Sequence, residues 1–495
     1  MKGLVINAPE SEQASQKNSA SPSLGVETAA TASEAFGPQF VTPMLFGAAL
    51  NPLNSSVMAT ALVAIASSLG VSVGRSSILI ASLYLTSAVA QPTTGRLGEL
   101  IGPRRVFVAG TALVLLGGFV GGFGDNLLIL TIARVLIGMG TSTGYPTAML
   151  LIRRRASTAG LTAPPQRVLG SLTIAGAAMV AIGPALGGLL ISWFNWRAAF
   201  LINVPIACAA LLTALLWLPK DPDRIRGYPW RELITRVDLV GITGFAITLT
   251  CALTFLLSLP RPRISVLAAS LLVAIALICW ELRARYPFLD IRLLVSNMAL
   301  TRTYLRNGLT LLAVYIVLYG LTQWMEAARG LTAYTAGLTL IPMGVLSALS
   351  AQVGSRRLRM GTSLTISAAL MLAAGLIACS LNGHSPLVLL VTITALVGVV
   401  SGLCTLANQI ALYEQAPAHT VGTASGLLRT YGYIGSIAAA TICGMTFRTR
   451  VDDTGLHRLV AALIAVSMVV LALTVADRKL YARSNSRNRL DARRP

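Results

Sequence analysis

The chain has 495 residues, of which 55% are hydrophobic and only 12% charged, and its mean hydropathy is +0.72. A soluble globular domain carries about a quarter of its residues as charged side chains, so that class is excluded. A net charge of +21 would suit a nucleic-acid binder, but the charges are distributed along the chain in a way that points elsewhere.

Apolar runs of about 20 residues, enough to cross a ~30 Å hydrocarbon core as helix, follow one another along most of the chain. Fourteen are predicted, at 42–67, 76–95, 105–123, 126–148, 168–191, 198–218, 237–258, 264–281, 303–326, 332–353, 361–381, 387–411, 422–445 and 457–476. An even number puts both tails on one side. With the N-terminal tail cytoplasmic, 29 of the 39 Lys and Arg fall in cytoplasmic loops and tails. Eight fall outside, and two, Arg134 and Arg429, within spans. This is the positive-inside bias. The basic C-terminal tail, from Arg478 to Arg494, either serves that topology signal alone or also touches anionic lipid. The six cysteines all lie in apolar runs, as small hydrophobes rather than disulfide partners or metal ligands. The polar first 38 residues have no signal-peptide pattern and read as a disordered tail before an uncleaved first span.

The spans divide six, two, six. An N-terminal bundle covers 39–219, a linker with two extra spans covers 220–292, and a C-terminal bundle covers 293–476, between tails 1–38 and 477–495. Two charged loops, "PKDPDRIRGYPWRELITRVD" and "ELRARYPFLDIR", frame the extra pair. An echo relates the outer six-span groups. "GRLGELIGPRR" follows the second span, with Gly95 and Gly102 seven apart, and "GSRRLRMG" follows the second span of the last six, with Gly354 and Gly361 seven apart. Repeats related by an axis along the membrane normal place a substrate site near mid-membrane between the halves.

In chain order, the first span reads "LNPLNSSVMATAL". Its Asn54, Ser55, Ser56 and Thr60 offer hydrogen bonds either to a ligand or to neighbouring helices. In the next loop, Gly95 and Gly102 permit a tight turn and close approach. Arg134, in "RVLIGMGTSTG", lies about two turns inside the fourth span. At that depth a charge needs a partner or a water-filled cavity, unless it snorkels to the surface. The fifth span holds "AIGPALGGLLISWFNWRAAFLINVP". Gly183, Gly187 and Gly188 let a neighbouring helix approach closely, Pro184 removes a backbone hydrogen bond and bends the helix, and Trp193 and Trp196 suit the membrane interface. In the ninth span, Glu326 in "YGLTQWMEAARG" is either protonatable or set among outer headgroups. Arg429, in "GLLRTYGYIGS", reaches substrate or snorkels inward. Tyr84, Tyr145, Tyr319, Trp324 and Tyr431 either line an aromatic cavity or simply pack.

These stretches resemble the major facilitator superfamily, in its fourteen-helix drug/proton antiporter branch, over about residues 42–476. The loop after the second span is similar to the family's, with Glu99 where Asp is usual, Arg104 and Arg105 at the basic end, and Leu100 in place of a basic residue. The resemblance implies that Glu99 pairs with arginines across a cytoplasmic gate. It links Arg134 to proton transfer, although Ile137 replaces a usual Gln. Gly183, Pro184, Gly187 and Gly188 match the antiporter motif of helix 5, with Met179 where its first glycine is usual, and Arg197 and "FLINVP" continue the pattern. Asn54 stands where many members carry Asp, and Glu326 takes the place of a Gln four residues before Gly330.

What the resemblance implies is an all-α polytopic membrane protein of the major facilitator fold. It would export a small, largely apolar drug or metabolite by alternating access in exchange for protons, as a monomer in the inner (plasma) membrane with both termini cytoplasmic. Its partners would be substrate, protons and lipid bilayer, with no nucleic acid, metal or cofactor. None of the eighteen acidic residues falls at the centre of a predicted span. That favours a neutral, zwitterionic or anionic substrate, with Arg134 and Arg429 supplying positive charge, and leaves Glu326 or Glu99 for coupling. A facilitator importing a nutrient is the main alternative. A membrane sensor or channel ranks below it. An ATP-driven pump lacks its GxxxxGK[ST] loop. A membrane enzyme lacks HExxH or a catalytic serine motif, and the three histidines lie near span ends or in loops.

Overall fold

The computed structural model describes residues 36–161, 166–221, 236–258, 262–289, 291–357, 360–416 and 421–477. The described residues are helical, with no strand among them. The N-terminal tail up to residue 35, the C-terminal tail from 478 and most of the first charged loop (222–235) lie outside them.

Fourteen principal helices follow in chain order: α1 (Pro38–Ser68), α2 (Ile78–Ile101), α3 (Pro103–Gly122), α4 (Leu127–Thr158), α5 (Gln166–Trp193), α6 (Asn203–Trp217), α7 (Leu239–Ser258) and α8 (Ile264–Glu281) come first. They continue as α9 (Met298–Tyr315), α10 (Ala333–Arg357), α11 (Met360–Ala378), α12 (Leu387–Gln415), α13 (Val421–Thr446) and α14 (Asp453–Ala476). The span that α9 begins runs on through a π-helical stretch, Ile316–Leu321, into Thr322–Ala327. Among the described residues, eleven helices are long and apolar enough to cross a membrane, or twelve if α5, bent by 43° between Val180 and Ile182, counts as one span.

Prolines interrupt several helices: Pro43 and Pro52 in α1, Pro92 in α2, Pro146 in α4, Pro184 in α5 and Pro342 in α10. Each removes an N–H donor, which lipid-embedded helices tolerate when neighbours or local adjustments re-satisfy the backbone. In α5 the freed acceptor is the carbonyl of Val180, four residues before Pro184, and that is where the helix bends. Leu271, Leu272 and Ile275 of α8, like Leu212 and Leu216 of α6, are exposed on outer helix faces, which suits a lipid solvent. The cysteines form no disulfide; Cys404 and Cys443 are buried as expected, whereas Cys279 and Cys379 are exposed. Cys279 lies near the end of α8 and Cys379 in the turn that follows α11, both outside the core.

The core differs between the two ends of the bundle. At the end where α1 finishes and α10 begins, one cluster draws on both outer groups of helices. It includes Leu62, Ile65, Leu83 and Tyr84 from the first, and Tyr319, Trp324, Leu340 and Leu459 from the last. At the other end the cores separate. Phe40, Met44, Phe107, Leu151 and Leu218 join α1, α3, α4 and the end of α6. Leu300, Tyr304, Leu412 and Leu427 join α9, α12 and α13. The extra pair α7–α8 packs through Ile242, Phe245 and Leu277 beside Ala88 of α2, with Tyr433 and Ile434 of α13 against the same cluster.

Candidate substrate pathway and gate

Arg134 is 1% exposed. It neither snorkels nor faces open water. Its Nε donates to the Leu79 carbonyl at 2.9 Å, and its Nη atoms donate to Asn54 Oδ1 and Asn54 O at 3.3 and 3.4 Å. Asn54 and Asn203 exchange amide hydrogen bonds at 2.6 and 3.1 Å. Arg134 thus ties α4 to α1 and to the start of α2, and Asn203 brings in α6. The polar atoms of Asn54 are committed to this knot, and Ser56 donates to the Met179 carbonyl of α5 at 3.1 Å. Of the two readings left open for the polar face of the first span, the helix-bridging one is what the structure shows at these two positions.

The glycines of α5 have separate neighbours. A Cβ at Gly183 would collide with Ser56 Oγ, and one at Gly187 would lie 2.6 Å from Thr60 Oγ1, so both face α1 of the same half. Gly188 faces the other half: a Cβ there would overlap the Ala333 carbonyl and come within 2.8 Å of Tyr334 Cα. Gly337 reciprocates, pressed against the backbone of Pro184 and Ala185. Of the two tryptophans expected at the interface, Trp193 is 71% exposed, but Trp196 is buried. Its ring stands edge-on to Phe200 and under the Arg197 guanidinium, 4.4 Å away. That covered site satisfies the ring without headgroups.

A tyrosine group crosses the seam near its middle. The Tyr84 and Tyr319 hydroxyls are 3.0 Å apart. Tyr315 stacks on Tyr319 at 5.3 Å and meets Tyr84 edge-on at 5.3 Å. Tyr433 lies 5.8 Å from Tyr84 and donates to Gln91 Oε1. Deeper along the same seam, the Arg429 guanidinium lies 3.4 Å from the centre of the Tyr145 ring, α13 against α4. Such a cation–π contact is stronger when desolvated. Tyr431 instead stacks on Tyr304 within the last group of helices. Trp324 is buried, with its indole N–H on Asp453 Oδ1 at 2.8 Å, so it braces α14. Glu326 is half-buried, and its Oε1 has no hydrogen-bond partner among the described residues.

The loop between α2 and α3 is anchored by a residue that sequence reasoning passed over. Asp221, just beyond α6, accepts from the Arg104 and Arg105 backbone N–H groups at 3.3 and 2.9 Å, and pairs with Arg154 of α4 at 3.2 Å. Anion and helix N-terminus suit each other. Gly102 has φ 106°, and a Cβ there would strike the Asp221 carboxylate; glycine is the residue both conditions admit. The Arg104 side chain donates to the Leu215 carbonyl at 2.8 Å. Glu99 is exposed, while Gly95 would meet Pro146 only at ordinary contact distance.

Other polar residues emerge only in three dimensions. Arg306, counted with the cytoplasmic flank in the sequence, is buried in α9, with Nε on Asn408 Oδ1 at 3.0 Å and Nη1 3.8 Å from Asp477. Its knot joins α9, α12 and the end of α14. The knot of Arg134 joins α4, α1 and α6. These are corresponding helices of the two outer groups of six, tied near opposite ends. Gln323 is fully buried, and neither amide atom has a partner among the described residues. Arg306 was legible as a charge just inside the start of the predicted span 303–326. Gln323, Asp221, Tyr315 and Tyr433 carried no local signal.

A long helical chain whose two outer groups share a core at one end, meet along a glycine seam and part at the other is a membrane transporter built on a major-facilitator fold. The comparisons agree. Residues 44–440 match the Major Facilitator Superfamily, and the chain belongs to it. An uncharacterized MFS-type transporter of Bacillus subtilis, YwoD, is 33% identical over 440 residues, covering 87% of this chain and 96% of that one. The multidrug resistance protein Stp of Mycobacterium tuberculosis is 27% identical over 378 residues, 74% of this chain and 67% of its own. Among solved structures, the nucleoside transporter NupG aligns with TM-score 0.57 at 12% identity, over 89% of this chain and 99% of that one. The human organic anion transporter MFSD10 aligns with TM-score 0.57 at 15% identity, over 89% and 100%.

Proposed function

We propose that this chain is a secondary active exporter of a small, largely apolar molecule, working by alternating access in exchange for protons. In this reading it has fourteen spans, two six-helix halves (39–219 and 293–476) around a two-span linker (220–292), and works as a monomer in the plasma membrane. Lys and Arg placement sets both termini in the cytoplasm. The end with the common core is then the outer end, and the parted cores face inward.

The observation that carries this reading is the reciprocal seam of Gly188 on Ala333 and Gly337 on Pro184. It is a close backbone-to-backbone contact between the halves, made where each helix presents a glycine. The bend above Val180 supports a helix that rocks. The relatives named as multidrug resistance proteins support export of drug-like molecules. Tyr84, Tyr319, Tyr145 and Arg429 form the substrate path, Arg134 holds the first half rigid during the swing, and Glu99, Arg104 and Glu326 are charges whose surroundings change with it.

The test is transport by purified protein in proteoliposomes across a compound panel, with and without an imposed pH gradient. Counterflow of substrate and protons is expected. Uptake down a solute gradient that ignores pH would replace exporter by facilitator. Asn54→Asp would place a carboxylate against Arg134 and is expected to alter coupling or cation preference.

A further inference from the structure

The two extra helices end in a buried acidic site that the transport reading does not use. Asp238, at the start of α7, is 4% exposed and adopts φ 57°; Glu281, the last residue of α8, is 3% exposed. Asp238 is saturated with donors. The Trp280 indole N–H reaches Oδ1 at 2.7 Å, the Gly241 N–H reaches Oδ1 at 3.1 Å, and the Phe288 N–H reaches Oδ2 at 2.9 Å. Three N–H donors thus converge on this one carboxylate.

Glu281 differs. Its Oε2 accepts from the Leu289 N–H at 3.2 Å, but Oε1 is buried with no hydrogen-bond partner among the described residues. It borders the same small space as Asp238: a Cβ on Gly241 would collide with both Asp238 Oδ2 and Glu281 Oε1. Two carboxylates facing one buried space cannot both ionise cheaply, and one retains a proton. A proton on Glu281 Oε1 supplies the missing hydrogen bond by donating towards Asp238 Oδ2.

Arg96 of α2 faces the pair and donates to the Tyr286 and Pro287 carbonyls at 3.3 Å each. Arg236 and Arg285 lie with Arg96 over the Tyr286 ring, 5.6–5.9 Å from its centre. Glu99 stands one turn along α2 from Arg96, and Tyr433 of α13, packed on the same cluster, has its hydroxyl on Gln91. Arg96 belongs to the α2–α3 loop motif, so it links the segment that holds the pair to the gate.

We propose that Asp238 and Glu281 form a proton site, sharing one proton at the base of the extra helices, whose release tightens the hold of the linker on Arg96 and the gate loop. With one proton the pair carries a single negative charge; without it, two charges draw on Arg96. The role of this proton in exchange rests on the antiport reading, but its binding is testable without substrate.

Trp280 is the reporter, being bonded to Asp238. The full-length protein in nanodiscs is titrated from mildly acid to alkaline pH, and the fluorescence of Trp280→Phe is subtracted from that of the wild type. A single transition is expected. Glu281→Gln, which keeps shape and an acceptor, should abolish it, and the protonated-carboxyl infrared band lost on alkalinisation should be missing in that variant. Arg96→Gln should raise the proton affinity at least tenfold, because it removes the cation that favours the doubly ionised pair. A transition of unchanged amplitude in Glu281→Gln, or no transition in the wild type, overturns the site. A pH midpoint that shifts when sodium replaces a larger cation at constant ionic strength overturns the proton as its occupant. A transition that obeys these rules while transport ignores pH would sustain the site and defeat the antiport reading instead.

Discussion

Gly188→Ala is the most informative single change to the seam. The added methyl overlaps the Ala333 carbonyl oxygen and lies 2.7 Å from its carbon and 2.8 Å from Tyr334 Cα. These are backbone atoms of the other half, so no rotamer change relieves the clash; the halves must part by several tenths of an ångström. Overpacking of this kind costs about 1–3 kcal/mol. The cost falls only on the state in which the seam is closed, so it shifts the closed-to-open ratio by roughly 5–150-fold. Gly183→Ala is the internal control. Its methyl meets Ser56 Oγ and lies 2.7 Å from Ser56 Cβ, so α5 and α1 must also give, but both belong to the same half and the cost falls on both states alike. Spin labels at Asp125 and His384, exposed in loops of opposite halves, would report the separation as a distance distribution in a cysteine-free background. A longer-distance population should grow in Gly188→Ala and stay at the parental level in Gly183→Ala. Equal behaviour of the two variants would refute the assignment of Gly188 to a moving contact.

Three further outcomes follow from the geometry. Arg134→Gln removes charged hydrogen bonds to Leu79 and Asn54; with buried acceptors left unpaired at about 1–3 kcal/mol each, it should lower the unfolding temperature in detergent and abolish transport while membrane insertion persists. Wild-type transport by that variant would remove Arg134 from the mechanism. Tyr84→Phe and Tyr319→Phe should each cost about 1 kcal/mol in the closed state. The double variant should cost little more than either alone, and strict additivity in a thermal-shift cycle would mean the hydroxyls do not interact. Asp221→Asn keeps a cap for α3 but loses the charge paired with Arg154, whereas Asp221→Ala loses both; Ala should destabilise by about 0.5–2 kcal/mol and Asn by less. The reverse order would exclude the capping role.

The order of apolar runs and breakers already settled much of this molecule. A bilayer requires each crossing segment to satisfy its own backbone, so hydropathy read one residue at a time locates helices, and a motif such as Gly183, Pro184, Gly187 and Gly188 marks a packing surface. The same local reading found Arg134, because a charge among apolar neighbours is visible in one dimension. What it could not supply is the partner. Whether Arg134 meets water or Asn54, whether Gly187 and Gly188 face the same half or opposite halves, and that Asp221 rather than Glu99 anchors the loop after α2 all depend on residues tens to hundreds of positions apart. Buried polar groups need specific partners, whereas apolar ones need only to be out of water. The sequence therefore determined which segments form apolar helices, and only the tertiary structure decided how their few polar atoms are paired, including the two carboxylates that border one buried space at the foot of the extra helices.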